Sequence, residues 1–185
     1  MTAVLDIAPV DRRPDFAEPF DDVEALPPTH VEVLACGGTD RGDDGAAVIA
    51  VSRLADALPP DVRTRIVGQL DIDDLLAVPK GAGVVVADTA LGVDPGWIVE
   101  IPFSGLAGRE AGIRPRSSHA LSIPETIAVA SIIRGHPLPG IVVAIGGVDF
   151  GLGEALSWPV ASAMDAFVLA IADAIGRVRT MVLAA

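Results

Sequence analysis

The sequence is poor in the residues that nucleic-acid-binding proteins use. Its 185 residues include 13 Lys and Arg against 25 Asp and Glu, which gives a formal net charge of −12. Only one of the cations is a lysine, Lys80. Proteins that track phosphate backbones need clustered cations, so we expect no nucleic-acid partner. The acidic balance suits a basic peptide or a metal cation, and it is equally compatible with a role in solubility alone.

Cysteine and uninterrupted apolar segments are also scarce. A single cysteine, Cys36, excludes an internal disulfide and fits a reducing compartment. The N-terminus lacks a basic segment followed by an apolar run, so we expect no secretory signal. Residues 159–175 are the most apolar stretch near the C-terminus, but Asp165 and Asp173 interrupt them, which predicts a buried amphipathic helix rather than a membrane span. The sequence therefore predicts a cytoplasmic protein without a membrane partner.

Aromatic residues make up only 4% of the chain and tyrosine is absent, whereas hydrophobic residues make up 51%. Such a core must be aliphatic, as in a sheet covered by helices. The length predicts one domain, at residues 30–185. Residues 1–29 differ because proline and acidic residues dominate them, so we interpret them as a flexible acidic extension. Whether this extension contacts a partner or is a solvated tail stays open.

The remaining chain alternates between strand-like and helix-like segments. The predicted strands are Val31–Cys36, 63–67, 83–87, 97–101 and 141–145. The predicted helices are 44–58, 73–77, 124–134 and a last helix that opens at Ser157. Alternation of this kind predicts a mainly parallel sheet with helices on both faces. Ligands of such sheets bind beyond the carboxyl ends of the strands, so the residues after the apolar strands matter most.

A glycine-rich turn with several carboxylates, residues 37–45, follows the first strand. We interpret Asp43 as a cap of the following helix, which leaves Asp44 free to face the crevice. Asp40 is a further acid in the turn. The turn fits none of three known glycine loops: it lacks the glycine spacing of a dinucleotide site, the Gly-Lys-Ser/Thr ending of a phosphate loop, and the acids of a calcium loop.

A second carboxylate, Asp88, follows the apolar run 84–87. It either caps a turn with Thr89 or points to the ligand edge, and the sequence leaves both open. Among the histidines, His30 lies at the boundary of the flexible extension and His136 at a helix end, where a cation suits the helix dipole.

His119 lies in a loop after Ser117 and Ser118, and no structural role of this kind explains it. Together with Asp44 and Asp88 it would form a mixed oxygen and nitrogen set, which suits a divalent metal with positions left open for a substrate. The three residues are far apart in sequence, so spacing alone is a weak signal.

These segments resemble those of the endopeptidases that mature nickel-iron hydrogenases. Members of that family carry a strand and then the segment Gly-x-Gly-Asn-x-x-x-x-Asp-Glu/Asp-Gly, an apolar strand that ends in Asp, a Ser-x-His or similar loop, and a Leu-Ser-x-x-Val start of the last helix. A Gln-Leu pair occurs in one branch. The matching segments here are 36–45, 84–88, 117–119, 156–160 and 69–70. The similarity spans roughly residues 31–180, and Gly38 stands where the family usually has Asn.

The resemblance implies a three-layer α/β/α sandwich around a mainly parallel five-stranded sheet. It implies that Asp44, Asp88 and His119 bind a metal, and that the enzyme removes a C-terminal extension from the hydrogenase large-subunit precursor after nickel insertion. The nickel would arrive with the precursor, and other divalent metals would occupy the site in vitro. The precursor is the expected partner, and the protein itself is expected to be a monomer.

Hydrolysis by water is the expected chemistry, since no nucleophile triad is evident. We interpret Cys36 as a core residue at a strand end, and assign catalysis to Asp44 and Asp88, with Asp40 as a further proton acceptor. Two alternatives stay open. The first is a nickel-sensing maturation chaperone that uses the same ligands without cleaving. The second is a small-molecule enzyme such as a methyl transferase, which predicts a nucleotide fingerprint that this loop lacks.

Overall fold

A five-stranded sheet lies between two layers of helices. The structure, a computed structural model, describes residues 30–106, 121–153 and 155–184. The strands are β1 (Val31–Cys36), β2 (Val62–Gly68), β3 (Gly83–Ala90), β4 (Ile98–Pro102) and β5 (Gly140–Gly146). The α-helices of the described ranges are α1 (Ala46–Leu54), α2 (Ile72–Leu76), α3 (Ile123–Arg134) and α4 (Trp158–Leu183). The predicted extension at residues 1–29 lies outside the described residues.

The sheet has the strand order β2-β1-β3-β5-β4. The first four strands in this order run parallel, and only β4 is antiparallel to its neighbour β5. The predicted mainly parallel sheet is thereby confirmed. The carboxyl ends of β1, β3 and β5 meet at one edge, called here the carboxyl edge, and the opposite edge is called the amino edge.

Side chains alternate between the two faces of the sheet and enter two separate cores. On one face, Val33 and Val85 belong to a cluster that α1 and α4 cover. On the other, Leu34 and Val86 belong to a cluster that α2 and α3 cover. The buried stripe predicted for the last helix is confirmed in every member: Val160, Met164, Phe167, Ile171, Ile175 and Val178.

Two elements near the predicted site differ in length from their predictions. Strand β3 runs on to Ala90, because Thr89 and Ala90 keep pairing with β5 beyond the apolar run. The first helix was predicted over 44–58 but opens with a 3-10 turn at Gly42–Gly45, and its α-helical part ends at Leu54. The remaining predicted elements agree with the structure to within one or two residues at each end.

An ion cluster fastens the amino edge. Asp61 Oδ2 accepts a hydrogen bond from Arg179 Nε at 2.8 Å and lies 2.9 Å from Nδ1 of His30. His30 was assigned to the boundary of a flexible segment, but it is half-buried and held by Asp61 and by the backbone bond of its N–H to the Asp61 carbonyl. Within the described ranges, none of the helices is long and apolar enough to cross a membrane.

Candidate active site at the carboxyl edge

The first loop and the end of β3 meet at the carboxyl edge, because β1 and β3 are parallel neighbours. Ala35 pairs with Ala87, so Cys36 and Asp88 are the next residues on each strand. The loop after Cys36 then turns back over this edge. The structure therefore brings the turn that carries Asp44 close to Asp88, as predicted from strand order.

Asp44 lies in the 3-10 turn and is half-buried. Its Oδ2 accepts a hydrogen bond from the backbone N–H of Gly38 at 2.9 Å. The preceding residue, Gly37, has a φ of +99°, and a Cβ there would lie 1.9 Å from the Asp44 carbonyl oxygen. Only glycine fits this position, for conformational as well as steric reasons. Gly37 thus lets the chain fold tightly enough to place Asp44 over the end of β1.

Asp43 is fully buried and has a different role from its neighbour. Oδ2 accepts backbone hydrogen bonds from Val148 and Asp149, both at 2.9 Å, and one from the Ser157 hydroxyl, also at 2.9 Å. Oδ1 accepts the backbone N–H of Ser157 at 2.7 Å. The expectation that Asp43 caps its own helix was wrong, since neither the 3-10 turn nor α1 has a side-chain cap. The carboxylate instead accepts four hydrogen bonds from residues of other segments at the carboxyl edge.

The hydrogen bonds to Asp43 also decide its charge. Burial on its own raises the pKa of this carboxyl, but the backbone donors of Asp149, Val148 and Ser157 and the Ser157 hydroxyl hold the pKa below its ordinary value. In turn, the Thr89 hydroxyl donates to the Asp43 carbonyl at 2.8 Å. Asp43 is therefore a charged anchor that ties the first loop, β3 and the start of α4 together.

Asp88 extends the carboxyl edge on β3. Its Oδ1 accepts the backbone N–H of Thr89 at 2.8 Å, so the predicted local contact with Thr89 is present although the residue lies within the strand. Burial raises the pKa of Asp88 to about 6; the Thr89 bond opposes the shift and the nearby charge of Asp44 adds to it. Asp44 and Asp88 are thus close enough to repel each other, an arrangement that a bound cation would relieve.

Cys36, the last residue of β1, is buried in the second core. Burial and the charge of Asp88 raise the pKa of its thiol well above the ordinary value, with a smaller contribution from Asp44. A thiol held in its neutral form is a poor nucleophile. The interpretation of Cys36 as a core residue is consistent with this environment.

Asp40 is exposed and lies beside the same turn. Its Oδ1 is 2.9 Å from the point that a Cβ on Gly38 would occupy, and Asp44 Oδ2 is 3.9 Å from that point. The two carboxylates therefore flank Gly38, the position where the family pattern has Asn. The structure places Asp40 near the site but leaves its role as a proton acceptor a prediction.

The third predicted ligand, His119, lies outside the described residues, as do Ser117 and Ser118. The described parts of the chain contain no group of three or more His, Cys, Asp or Glu side chains arranged to hold a metal ion. What they do contain, two neighbouring carboxylates with oxygen donors at the ligand edge, fits part of a divalent-metal site. The complete set of Asp44, Asp88 and His119 stays a prediction.

The loop after β5 also belongs to this edge, which was not predicted from the sequence. Gly42 N–H donates to the Gly153 carbonyl at 2.6 Å, and Asp43 N–H donates to the Asp149 carbonyl at 2.8 Å. A Cβ on Gly147 would lie 2.6 Å from Thr89 and 3.2 Å from the Asp43 side chain. The paired glycines after β5, Gly146 and Gly147, were the signal of this close packing.

The fold of this chain is that of a class of solved proteases, although it matches no protein-family model and no curated protein. The hydrogenase maturating endopeptidase HybD from E. coli has a TM-score of 0.65 and 16% identity, over 80% of this chain and 93% of that chain. The [NiFe] hydrogenase maturation protease HybD from Thermococcus kodakarensis has a TM-score of 0.61 and 23% identity, over 79% and 99% of the two chains.

A third similar structure is the hydrogenase 2 maturation peptidase from Thaumarchaeota archaeon SCGC_AB-539-E09, with a TM-score of 0.57 and 24% identity, over 80% of this chain and 99% of that chain. All three are named for the class that the sequence motifs resemble. At these identities the shared property is the fold, and the three-layer sandwich implied by the resemblance is confirmed.

Proposed function

We propose that this chain is an endopeptidase that removes a C-terminal extension from the precursor of a nickel-iron hydrogenase large subunit after nickel insertion. The observation that carries the proposal is the pair Asp44 and Asp88 at the carboxyl edge of a fold shared with hydrogenase maturation proteases. Sequence motifs and fold point independently to the same class. Fold alone would not assign an activity, because one fold serves many functions.

The site favours hydrolysis of a metal-bearing substrate over a covalent mechanism. Asp44, Asp88 and His119 would hold the nickel that the precursor brings with it. A divalent metal at such a site polarises a carbonyl or lowers the pKa of water. In the metal-free chain, Asp44 is fixed by the Gly38 N–H, and burial raises the pKa of Asp88 to about 6. Bound nickel would keep both carboxylates ionised as ligands, so Asp40, the further carboxylate beside the turn, would be the one left to accept a proton from water.

Asp43 prepares this chemistry without facing the substrate. Its buried carboxylate fixes the first loop against the start of α4, and the adjacent Asp44 is the partly exposed carboxylate of the pair. Such fixed support keeps a ligand within the narrow range of positions that a metal site tolerates.

The test is to incubate a nickel-loaded large-subunit precursor with the protein and to measure the precursor's mass. Wild-type protein is expected to remove a C-terminal peptide, whereas Asp44→Asn and His119→Ala are expected to remove none. Asp165→Asn is the control, because that carboxylate is 98% exposed on α4 and pairs only with Arg53 among the described residues. Unaltered processing by Asp44→Asn or His119→Ala would refute the site.

The same experiment separates the protease from a nickel-sensing chaperone with the same ligands. A chaperone would bind the nickel-loaded precursor and leave its mass unchanged, while its binding would still depend on Asp44 and His119. The solved structures with this fold give the chaperone no support, since those named above are named as proteases or peptidases.

A further inference from the structure

Both tryptophans of the chain are exposed at the carboxyl edge. Trp97 is 67% and Trp158 is 81% exposed, and they are the only tryptophans in the sequence. Tryptophan is highly buried on average, because its ring offers a large apolar surface. Two exposed tryptophans on neighbouring turns therefore need an explanation that a single exposed apolar residue does not.

Backbone hydrogen bonds place Trp97 beside the end of β5. Gly146 N–H donates to the Trp97 carbonyl at 2.8 Å, and Gly147 N–H donates to the Ala90 carbonyl at 3.0 Å. The second of these bonds brings Leu91, which is also exposed, to the same turn. Val148 follows directly and is exposed as well.

Trp158 joins this group through the anchor at Asp43. Ser157 and Val148 both donate their backbone N–H to the Asp43 carboxylate. Because Trp158 directly follows Ser157, this shared acceptor brings the backbone of Trp158 close to that of Val148. A Cβ on Gly96 would lie 2.7 Å from the Pro159 carbonyl oxygen, which brings the turn before Trp97 against the first turn of α4.

The loop after β5 contributes a further apolar side chain. Gly153 N–H donates to the Asp40 carbonyl at 2.9 Å, which fixes this loop beside the turn that carries Asp44. Leu152 precedes Gly153 and is 93% exposed. We name the set Leu91, Trp97, Val148, Leu152 and Trp158 the tryptophan edge.

Negative charge surrounds the tryptophan edge. Among the described residues of these turns, carboxylates outnumber cations: the exposed or half-buried acids are Asp40, Asp44, Asp88, Asp94 and Asp149, Asp43 is a buried sixth, and the one cation is Arg41. Apolar surface ringed by carboxylates is complementary to a segment that is itself apolar and positively charged. Exposed apolar groups elsewhere in the described structure, such as Ile132 and Leu169, lie on the outer faces of helices and do not border the site.

We propose that the tryptophan edge binds an apolar segment of the precursor that carries lysine or arginine, and thereby directs the scissile bond to the Asp44 and Asp88 site. This inference rests on the proposed function. Exposed apolar patches rimmed by polar groups mark interaction sites, and tryptophan is among the residues that dominate binding energy at interfaces. Trp158 stands at the first unspecified position of the Leu-Ser-x-x-Val pattern. The tryptophan edge could therefore determine which precursor this chain accepts.

The first test measures KM and kcat for a nickel-loaded precursor with the variants Trp97→Ala, Trp158→Ala and Leu152→Ala. Loss of an anchoring tryptophan is expected to raise KM on the order of 10- to 100-fold, with kcat changed less than about threefold. Leu169→Ala is the matched control, because Leu169 is 70% exposed on α4 but lies about 16 Å along the helix from Trp158. Leu152→Ala repeats the test at a side chain too exposed to affect folding.

The second test is independent of proteolysis. The chain has two tryptophans and no tyrosine, so its emission excited near 295 nm comes from the tryptophan edge alone. Titration with a synthetic leucine-lysine peptide that lacks aromatic residues is expected to shift the emission to shorter wavelength. A leucine-glutamate peptide of equal length is expected to leave the emission unchanged, and added salt is expected to weaken the first interaction.

The outcomes distinguish the two proposals. A KM that stays at the wild-type value in both tryptophan variants refutes the docking surface while the protease stands. A wild-type protein that processes no precursor but binds the leucine-lysine peptide refutes the protease, and with it the role of the edge in directing a scissile bond, while the affinity of the edge for apolar cationic segments stands. Sedimentation tests the remaining alternative, in which a second copy of the chain occupies the tryptophan edge. A wild-type dimer that Trp158→Ala dissociates, with KM unchanged, would support that alternative and overturn the proposal.

Discussion

The two edges of the sheet differ in the side chains that they carry. The amino edge contains a cavity of about 590 Å³ whose walls are mainly apolar, with Phe103, Ile127 and Leu138 among its lining residues. The carboxyl edge instead combines carboxylates on tight glycine turns with the exposed apolar side chains of the tryptophan edge. The proposed site lies at the end opposite this cavity. We expect catalysis at the carboxyl edge, and mainly a stabilising role for the side chains that line the cavity at the amino edge.

The largest stability effect is expected at Asp43, on the carboxyl edge. Asp43→Ala removes the acceptor of four hydrogen bonds and leaves buried donors unsatisfied, so we expect a loss of about 3–5 kcal/mol in the free energy of unfolding. Asp40→Ala, at an exposed carboxylate of the same loop, should stay within about 0.5 kcal/mol of wild type. Urea denaturation measures both. Equal midpoints for Asp43→Ala and wild type would contradict the anchoring role.

A comparable loss without a catalytic effect is expected at the amino edge. Phe103 is buried in the second core and lines the cavity, so Phe103→Ala should cost about 3–4 kcal/mol. Because this side chain lies at the opposite edge from Asp44 and Asp88, kcat for precursor processing should equal the wild-type value at a temperature where the variant stays folded. A kcat reduced tenfold in the folded variant would break the division between the edges.

Asp88 should make the carboxyl edge less stable as the pH rises. Its folded pKa of about 6 is above the ordinary value, so the folded state binds the proton more tightly and loses stability as pH increases from about 4 to 6. Asp88→Asn should abolish this loss and, without metal, exceed the wild type at pH 7 by about 1–3 kcal/mol. Thermal unfolding between pH 4 and pH 7 measures the difference. If the stability difference between wild type and Asp88→Asn is the same at pH 4 and pH 7, the pKa of Asp88 is not raised in the folded protein.

Asp61 should show the opposite pH dependence at the amino edge, with the smallest effect of the four. Burial raises its pKa, but the bonds from His30 and Arg179 outweigh burial and lower the pKa below the ordinary value. Its contribution to stability is therefore present above the unfolded pKa and is lost as the pH falls through the folded pKa. The stability difference between wild type and Asp61→Asn should be larger at pH 6 than at pH 3. A stability difference that does not change with pH would contradict a stabilising role for the Asp61 carboxylate in the ion cluster.

The local pattern of apolar residues was enough to predict the mainly parallel sheet and the buried face of the last helix. Runs such as 84–87 and the stripe that includes Phe167 and Ile171 reflect burial by elements on both sides, so their periodicity carries the information. It was also enough to place Asp44 and Asp88 at one edge, since parallel neighbours end together.

Contacts between distant parts of the chain escaped prediction. The donors of Asp43 lie 105 to 114 residues away, so no local motif distinguishes an anchor for a remote loop from a cap for the next helix. His30 gained its partner in the same way, through a carboxylate 31 residues further on. Strand β3 passes the apparent stop at Asp88 because β5 offers it further backbone partners.

The bond between Asp43 and Ser157 has a consequence for the order in which the protein assembles. Contacts that close long stretches of chain form late, since their entropy cost must be met before they stabilise anything. During synthesis, the first loop emerges from the ribosome long before Ser157 does. A nascent chain that has not yet reached α4 therefore lacks two of the four hydrogen bonds to the Asp43 carboxylate, and the carboxyl edge is complete only once the last helix has been made.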